Sequence, residues 1–294
     1  MTTQRRIRGV DVSTYQGVIS DAIAKALVDE GCAFAYIRAA VGNGAKADDR
    51  FEQNVAVFKR HGIAVGPYLF PYPLPHLDPV AQARLHVELS GGLGSNVGEL
   101  APMLDAEWPP RETKLKDGTI ELTWKKWGCS APQLRDWLTQ YGREVDRLSG
   151  CNCPIYTYRY WWSCVEGWLA PELCARPLHL ADYGYKGVVP TDEQLARVSV
   201  PKGFDRITIL QHDGDGGLRL PTAAGLNTGN DVDWNVMPDA SDLVRLMGQP
   251  REPETPGDPI VDIAAITSVA HAQASGLIVD DMIAEYRRTR IDES

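Results

Sequence analysis

The sequence predicts an α/β protein, an irregular single-domain β/α barrel followed by a short helical C-terminal extension. Three observations predict it. From residue 7 to about residue 150, short apolar runs alternate with amphipathic segments of helical spacing, the rhythm of parallel strands joined by helices. Several of the runs end in an acid or a tyrosine, as expected where strand ends gather at one mouth. At 294 residues and 44% hydrophobic content, the chain is long and apolar enough to bury a core of that size.

Residues 7–12 alternate and run into Ser13, a first strand whose Asp11 is a candidate site residue. Residues 20–30 carry Ile23, Ala24, Leu27 and Val28 at helical spacing and stop at Gly31, a glycine cap. Residues 33–41 are a continuous apolar run, the pattern of a strand buried on both faces. Arg38 inside it needs a partner, and an active-site carboxylate would serve. A helix over 49–61 ends at Gly62, and residues 63–70 make a third strand with Tyr68 near its end. A helix over 79–90 then leads through Gly91, Gly92 and Gly94 to the fourth strand.

That fourth strand lies in residues 101–109 (APMLDAEWP). Side chains alternate along a strand, so Asp105 and Glu107 share a face, roughly 7 Å apart. Two acids buried together push one pKa above the other, which separates a proton donor from a charge stabiliser. Alone, the pair also fits a solvated rim or two metal ligands. Trp108, next in the chain, would give Glu107 an apolar wall.

Residues 110–130 are polar and predict a hairpin or loop over the mouth, with Trp124 and Trp127 packing it down or lining a groove. A helix over 131–148 carries the stripe Leu134, Leu138, Tyr141 and Val145. Strands follow at 154–158, at 178–183 with Asp182 and Tyr183, at 206–211 and at 229–236. No helix of useful length separates these last strands. The late sheet therefore departs from strict β/α alternation, with a hairpin or an antiparallel strand closing the barrel. The two tyrosines, at strand ends, suit sugar stacking or a hydrogen bond to a ligand amide as well as half-buried core positions.

A formal net charge of -9 and a pI near 5.2 exclude nucleic acid and anionic membrane as main partners. The basic residues at the N-terminus have no apolar run behind them, and no stretch reaches membrane-spanning length, so a protein made in the cytoplasm without a signal peptide is expected. The six cysteines lack zinc spacing and read as reduced or buried thiols, with a bridge within 151–174 left open. No metal and no cofactor is expected. Four prolines in residues 249–259 mark a linker between a barrel domain at 1–248 and a helical segment at 260–294. From Arg251 on, four basic residues face nine acidic ones, a poor match for anionic wall polymers. Wall binding, packing on the barrel and self-association through Ile263, Ile266, Val269 and Ala270 are all open to that segment.

The motifs GVDVSTYQG (9–17), FAYIRAAVGNG (34–44), GPYLFPYP (66–73), PMLDAEWP (102–109), PIYTY (154–158), HLADY (179–183), ILQHDGDG (209–216) and DVDWN (231–235) together resemble glycoside hydrolase family 25, the N-acetylmuramidases of bacterial and phage origin. The resemblance runs in order from residue 7 to about 240. It implies a β/α barrel that cleaves the β-1,4 bond between N-acetylmuramic acid and N-acetylglucosamine in peptidoglycan without a metal. It also implies that Glu107 is the general acid, Asp105 the partner carboxylate, and Asp11 and Asp233 the two further acids. Tyr68, Tyr183, Asp182, Arg38 and Trp108 are expected around the substrate. The family usually has a histidine after the third-strand tyrosine, where this chain has Leu69. Family habit points to a phage endolysin that needs a separate holin-like protein to pass the membrane. The rival expectation is a wall-binding or virion-structural barrel without catalysis.

Overall fold

The computed structural model describes residues 6–42, 44, 46–96, 98–107, 112–114, 120–122, 130–214 and 232–247. Eight strands close a barrel: β1 (Ile7–Val12), β2 (Cys32–Val41), β3 (Ala64–Phe70), β4 (Met103–Asp105), β7 (Ile155–Tyr158), β8 (Leu178–Ala181), β9 (Ile209–Asp213) and β10 (Asp233–Met237). The strands follow one another around the ring in chain order, and neighbours run parallel from β1 through β9. The exception is β10, which lies antiparallel to both β9 and β1 and seals the ring. A separate antiparallel pair, β5 (Glu112–Lys114) and β6 (Ile120–Leu122), interrupts the sequence after β4, where a hairpin was expected.

Four helices lie where the periodicity puts them: α1 (Asp21–Asp29), α2 (Phe51–Arg60), α3 (Pro79–Leu89) and α4 (Ala131–Ser149). Local chemistry sets their ends. Ser20 accepts from the Ile23 amide and Asp78 from the Val80 and Ala81 amides, so each satisfies orphan N–H groups of a first turn. Ser130 and Gln133 form a reciprocal capping box on α4, and Gly150 closes that helix at φ 71°, where a side chain would be strained. Among the described residues, the late connections carry the short helices α5 (Arg159–Cys164), α6 (Pro171–Cys174) and α7 (Asp192–Ala196) and single 3-10 turns at Gly167–Leu169 and Tyr183–Tyr185, too short to restore the alternation.

Two apolar clusters follow from strand alternation. Val10, Val12, Ala35, Ile37, Leu104, Leu180 and Trp234 face outward and pack under the helices. Ile7, Phe34, Tyr36, Met103, Ile209 and Met237 fill the inside, and Leu243 and Leu246 of α8 (Ser241–Leu246) join them at the end where β1 begins. The interior is crowded. A Cβ added at Gly66 would lie 2.7 Å from Leu100 Cβ and 2.8 Å from the Leu100 carbonyl oxygen.

The seventh barrel strand starts later than the sequence predicts. It spans Ile209–Asp213 because Arg206 turns outward to an ion pair with the fully buried Asp242 of α8, and pairing begins only beyond it. Among the described residues, Cys32, Cys151, Cys153, Cys164 and Cys174 are free thiols, and no helix is long and apolar enough to cross a membrane. Trp108, Trp124, Trp127, the linker and the segment 260–294 lie outside the described residues.

Substituting Gly66→Ala is expected to lower unfolding free energy by about 1–3 kcal/mol, because the two nearest obstacles, the Leu100 Cβ and carbonyl oxygen, are fixed to the backbone and cannot rotate aside. Urea denaturation measures it, and a variant as stable as the parent would refute the packing argument.

Candidate active site

The end of the barrel opposite α8 holds a cavity of about 200 Å³ lined by Asp11, Tyr68, Met103, Asp105, Glu107, Tyr156, Tyr183, Gln211 and Asp233. Six staves supply its wall, β1, β3, β4, β7, β9 and β10, together with the turns after β4 and β8. All four acids expected from the sequence therefore converge, with Tyr68 and Tyr183 beside them. Asp11 and Asp233 face each other as register partners across the β1–β10 pair and share a side-chain hydrogen bond. Asp105 ends β4 and Glu107 follows two residues later on the same face.

Burial separates these acids electrically. Asp11 is 8% exposed and Asp105 6%. For Asp105, desolvation is the largest influence, and repulsion from Glu107 and Asp11 adds to it, so its carboxyl is held well above the usual carboxylate range despite the opposing pull of Arg38. Its Oδ1 is buried with no hydrogen-bond partner among the described residues. Asp105 is therefore held toward its neutral form, and the hydrogen bond between Asp11 and Asp233 holds a further proton within that pair. Asp11 is also pushed up by burial, to about 6, but donors from Asn235, Gln211 and Asp233 work against the shift. Glu107 is only half buried, which leaves it open to a ligand in the cavity.

Three supporting residues were not foreseen. Gln211 Nε2 and Asn235 Nδ2 both donate to Asp11 Oδ2, at 2.8 and 2.9 Å. The Gln211 oxygen accepts from Tyr183 and Tyr156 hydroxyls at 2.8 and 2.9 Å. The Asn235 oxygen lies 2.7 Å from Nε2 of the buried His179. The available signal was a polar residue at an inward position of an otherwise apolar strand: histidine in Leu178-His179-Leu180, glutamine in Leu210-Gln211, asparagine after Trp234.

Two expected contacts differ. Arg38 takes Asp48 as its partner at 2.8 Å rather than one of the cavity acids, and its guanidinium lies 5.0 Å from the centre of the exposed Tyr15 ring. Asp48 is reached because the chain after β2 folds back, with the Asp48 amide bonded to the Ala39 carbonyl. Asp182 does not line the cavity. It caps the turn Tyr183–Tyr185 by accepting from the Gly184 amide and pairs with Arg159 at 2.6 Å, contacts that fix the turn carrying Tyr183.

A barrel mouth that sets a protonated carboxyl beside ionisable ones, walled by phenols, is the equipment of a glycosidase. The family model for glycosyl hydrolases family 25 matches residues 10–218, and the chain belongs to that family. Lysozyme M1 of Streptomyces globisporus is 29% identical over 210 residues, which are 71% of this chain and 63% of that protein. The chain thus spans less than two thirds of that relative. Among solved structures, the bacterial lysozyme of Streptomyces coelicolor superposes with a TM-score of 0.61 at 27% identity, covering 83% of this chain and 98% of the other. A family GH25 lysozyme from Aspergillus fumigatus shares the fold, with TM-score 0.61, 22% identity, and coverage of 83% and 100%.

The raised carboxyl carries a sign. Asp105 binds its proton more tightly folded than unfolded, so its charge imposes no penalty below about pH 4 and a growing one as pH rises above that. Asp105→Asn should therefore stabilise the fold by about 1–2 kcal/mol at pH 7 while the gain fades below pH 4. Denaturation at the two pH values measures it, and equal gains at both would contradict the assignment.

Proposed function

We propose that this protein is a peptidoglycan hydrolase, an N-acetylmuramidase that cleaves the β-1,4 bond on the reducing side of N-acetylmuramic acid. The observation that carries the reading is the convergence of Asp11, Asp105, Glu107 and Asp233 on one cavity, within a chain of the family whose lysozyme relatives are described above. Bond cleavage passes through an oxocarbenium-like state that needs a proton at the leaving oxygen and negative charge near the ring.

In this reading Glu107 delivers the proton, because it is the acid of the β4 pair that a glycosidic oxygen can reach. Asp105 lies behind it and starts protonated. A sugar that covers the mouth removes water from Glu107 as well, so the two carboxyls come to compete for one proton, as closely placed acids do. The unpartnered Oδ1 of Asp105 is the acceptor left for a substrate N–H or hydroxyl. The Asp11–Asp233 pair, which shares a proton across its hydrogen bond, supplies the stabilising negative charge. The family resemblance adds that the substrate's own N-acetyl group is the nucleophile, which would make the enzyme retaining. Tyr68 and Tyr183 wall the cavity where a sugar ring or its acetamido group would lie. The biological setting in the same reading is a phage endolysin that meets the wall after a separate holin-like protein opens the membrane, with the segment 260–294 free to bind the wall or self-associate. That part rests on the resemblance.

Digestion of purified peptidoglycan, followed by reduction and mass analysis of new ends, tests the activity. New reducing ends should be muramic acid, and Glu107→Gln should lower their rate by about 10²–10⁴. Glucosamine ends, undiminished activity in that variant, or wall binding without cleavage by the parent would each overturn the reading.

A further inference from the structure

We propose that His179 is a positioning residue for Asp11, acting through the side-chain amide of Asn235. The inference rests on Asp11 belonging to the muramidase site proposed above. An ionised carboxylate can only accept hydrogen bonds, so Asn235 must turn Nδ2 toward Asp11 Oδ2, 2.9 Å away, and present Oδ1 to the imidazole. That oxygen, 2.7 Å from His179 Nε2, needs a donor, which fixes the tautomer with the proton on Nε2. Met103 Sδ, 2.9 Å from Nδ1, also can only accept, but a thioether is a weak acceptor, so of the two claims on the one proton of the neutral ring the amide oxygen's prevails.

The surroundings hold this arrangement. Tyr36 from β2, Met103 from β4 and Tyr156 from β7 pack around the ring, and none of them is a cation or a carboxylate. Burial pulls the imidazole down to about 4, so it is neutral where carboxylates of this site titrate. Without the imidazole, the Asn235 amide is free to rotate and aim its oxygen at Asp11, replacing an attraction by a repulsion. Gln211 meets the same Asp11 oxygen from β9 and is fixed by its own phenol donors, so it supports Asp11 but does not orient Asn235. The other groups facing Asp11 are Asp233 from β10, Asp105 and Glu107 from β4 and its following turn, Tyr68 from β3 and Tyr156 from β7. Because these acids titrate together, the informative quantity is the shift between variants of His179 rather than any absolute pKa.

The test compares His179→Leu with His179→Gln on soluble peptidoglycan glycan chains across pH, with nitrogen-15 NMR of the imidazole in the unaltered protein. The expected spectrum shows a neutral ring protonated on Nε2 at pH 6. In His179→Leu, kcat should fall roughly tenfold to a hundredfold with KM nearly unchanged, and the acid limb should move up by about one pH unit, because Asp11 loses a donor to its charged form. His179→Gln, which keeps an N–H in reach of the Asn235 oxygen, should restore most of both. A proton on Nδ1, a folded His179→Leu variant with the parent's kcat and acid limb, or a Gln variant as impaired as the Leu variant would overturn the proposal. The spectrum needs no activity, so it judges the tautomer even if the parent fails to cut peptidoglycan, an outcome that would sink the functional reading instead.

Discussion

Keeping carboxylates buried in a barrel mouth is the constraint around which this molecule is arranged. An ion moved out of water without partners is costly, and two such ions side by side are costlier. The structure meets the cost in two ways. Asp105 gives up its charge, shut in with the charge of Glu107 and left with an unsatisfied oxygen. Asp11 is given amide donors from the two last strands, Asn235 oriented from its far side by the buried His179 and Gln211 by the Tyr183 and Tyr156 hydroxyls. The same element class, a carboxylate at a strand end, is thus made into two different reagents by what lies behind it.

The inner and outer faces of the sheet divide the work. Outward residues such as Val10, Ile37 and Leu180 seal the helices to the strands with apolar contact alone. The inward set grades from apolar at one end to polar at the other: Ile7 and Met237 pair at the closed end, and Asp11 pairs with Asp233 at the open end. Along β1 the inward positions run Ile7, Gly9, Asp11, and the glycine in the middle is where a Cβ would lie 2.5 Å from the Phe34 ring. Packing in the lower barrel and chemistry at the mouth are therefore set by the same alternation.

Much of this was legible in the residues. The helices announced themselves through period and through the glycines that stop them, Gly31 and Gly62, because those signals act within a few residues of where they are written. The four acids were legible through motifs that recur in order along the chain. What was not legible depends on partners distant in sequence. Asp11 and its donors Gln211 and Asn235 are separated by 200 and 224 residues, and nothing local in β1 tells of them. Asp48 as partner of Arg38 depends on a loop returning to its own strand, and the outward turn of Arg206 on a helix some 36 residues further on. Asp182 looked like a ligand residue because a strand-end acid can as well cap the next turn, and spacing alone does not separate the two.

The reversed strand β10 bears on how the molecule comes into being. Because it runs against its neighbours, its first residue, Asp233, sits at the mouth, and its Cα partner is Asp11, more than two hundred positions earlier. Until that strand docks, β1 remains an open edge and the site has neither its fourth acid nor Asn235. Closing the ring spans the greatest sequence separation in the barrel, the slowest kind of contact to form. A nascent or partly unfolded chain consequently lacks the four-acid cavity, which is assembled only when the last strand completes the ring.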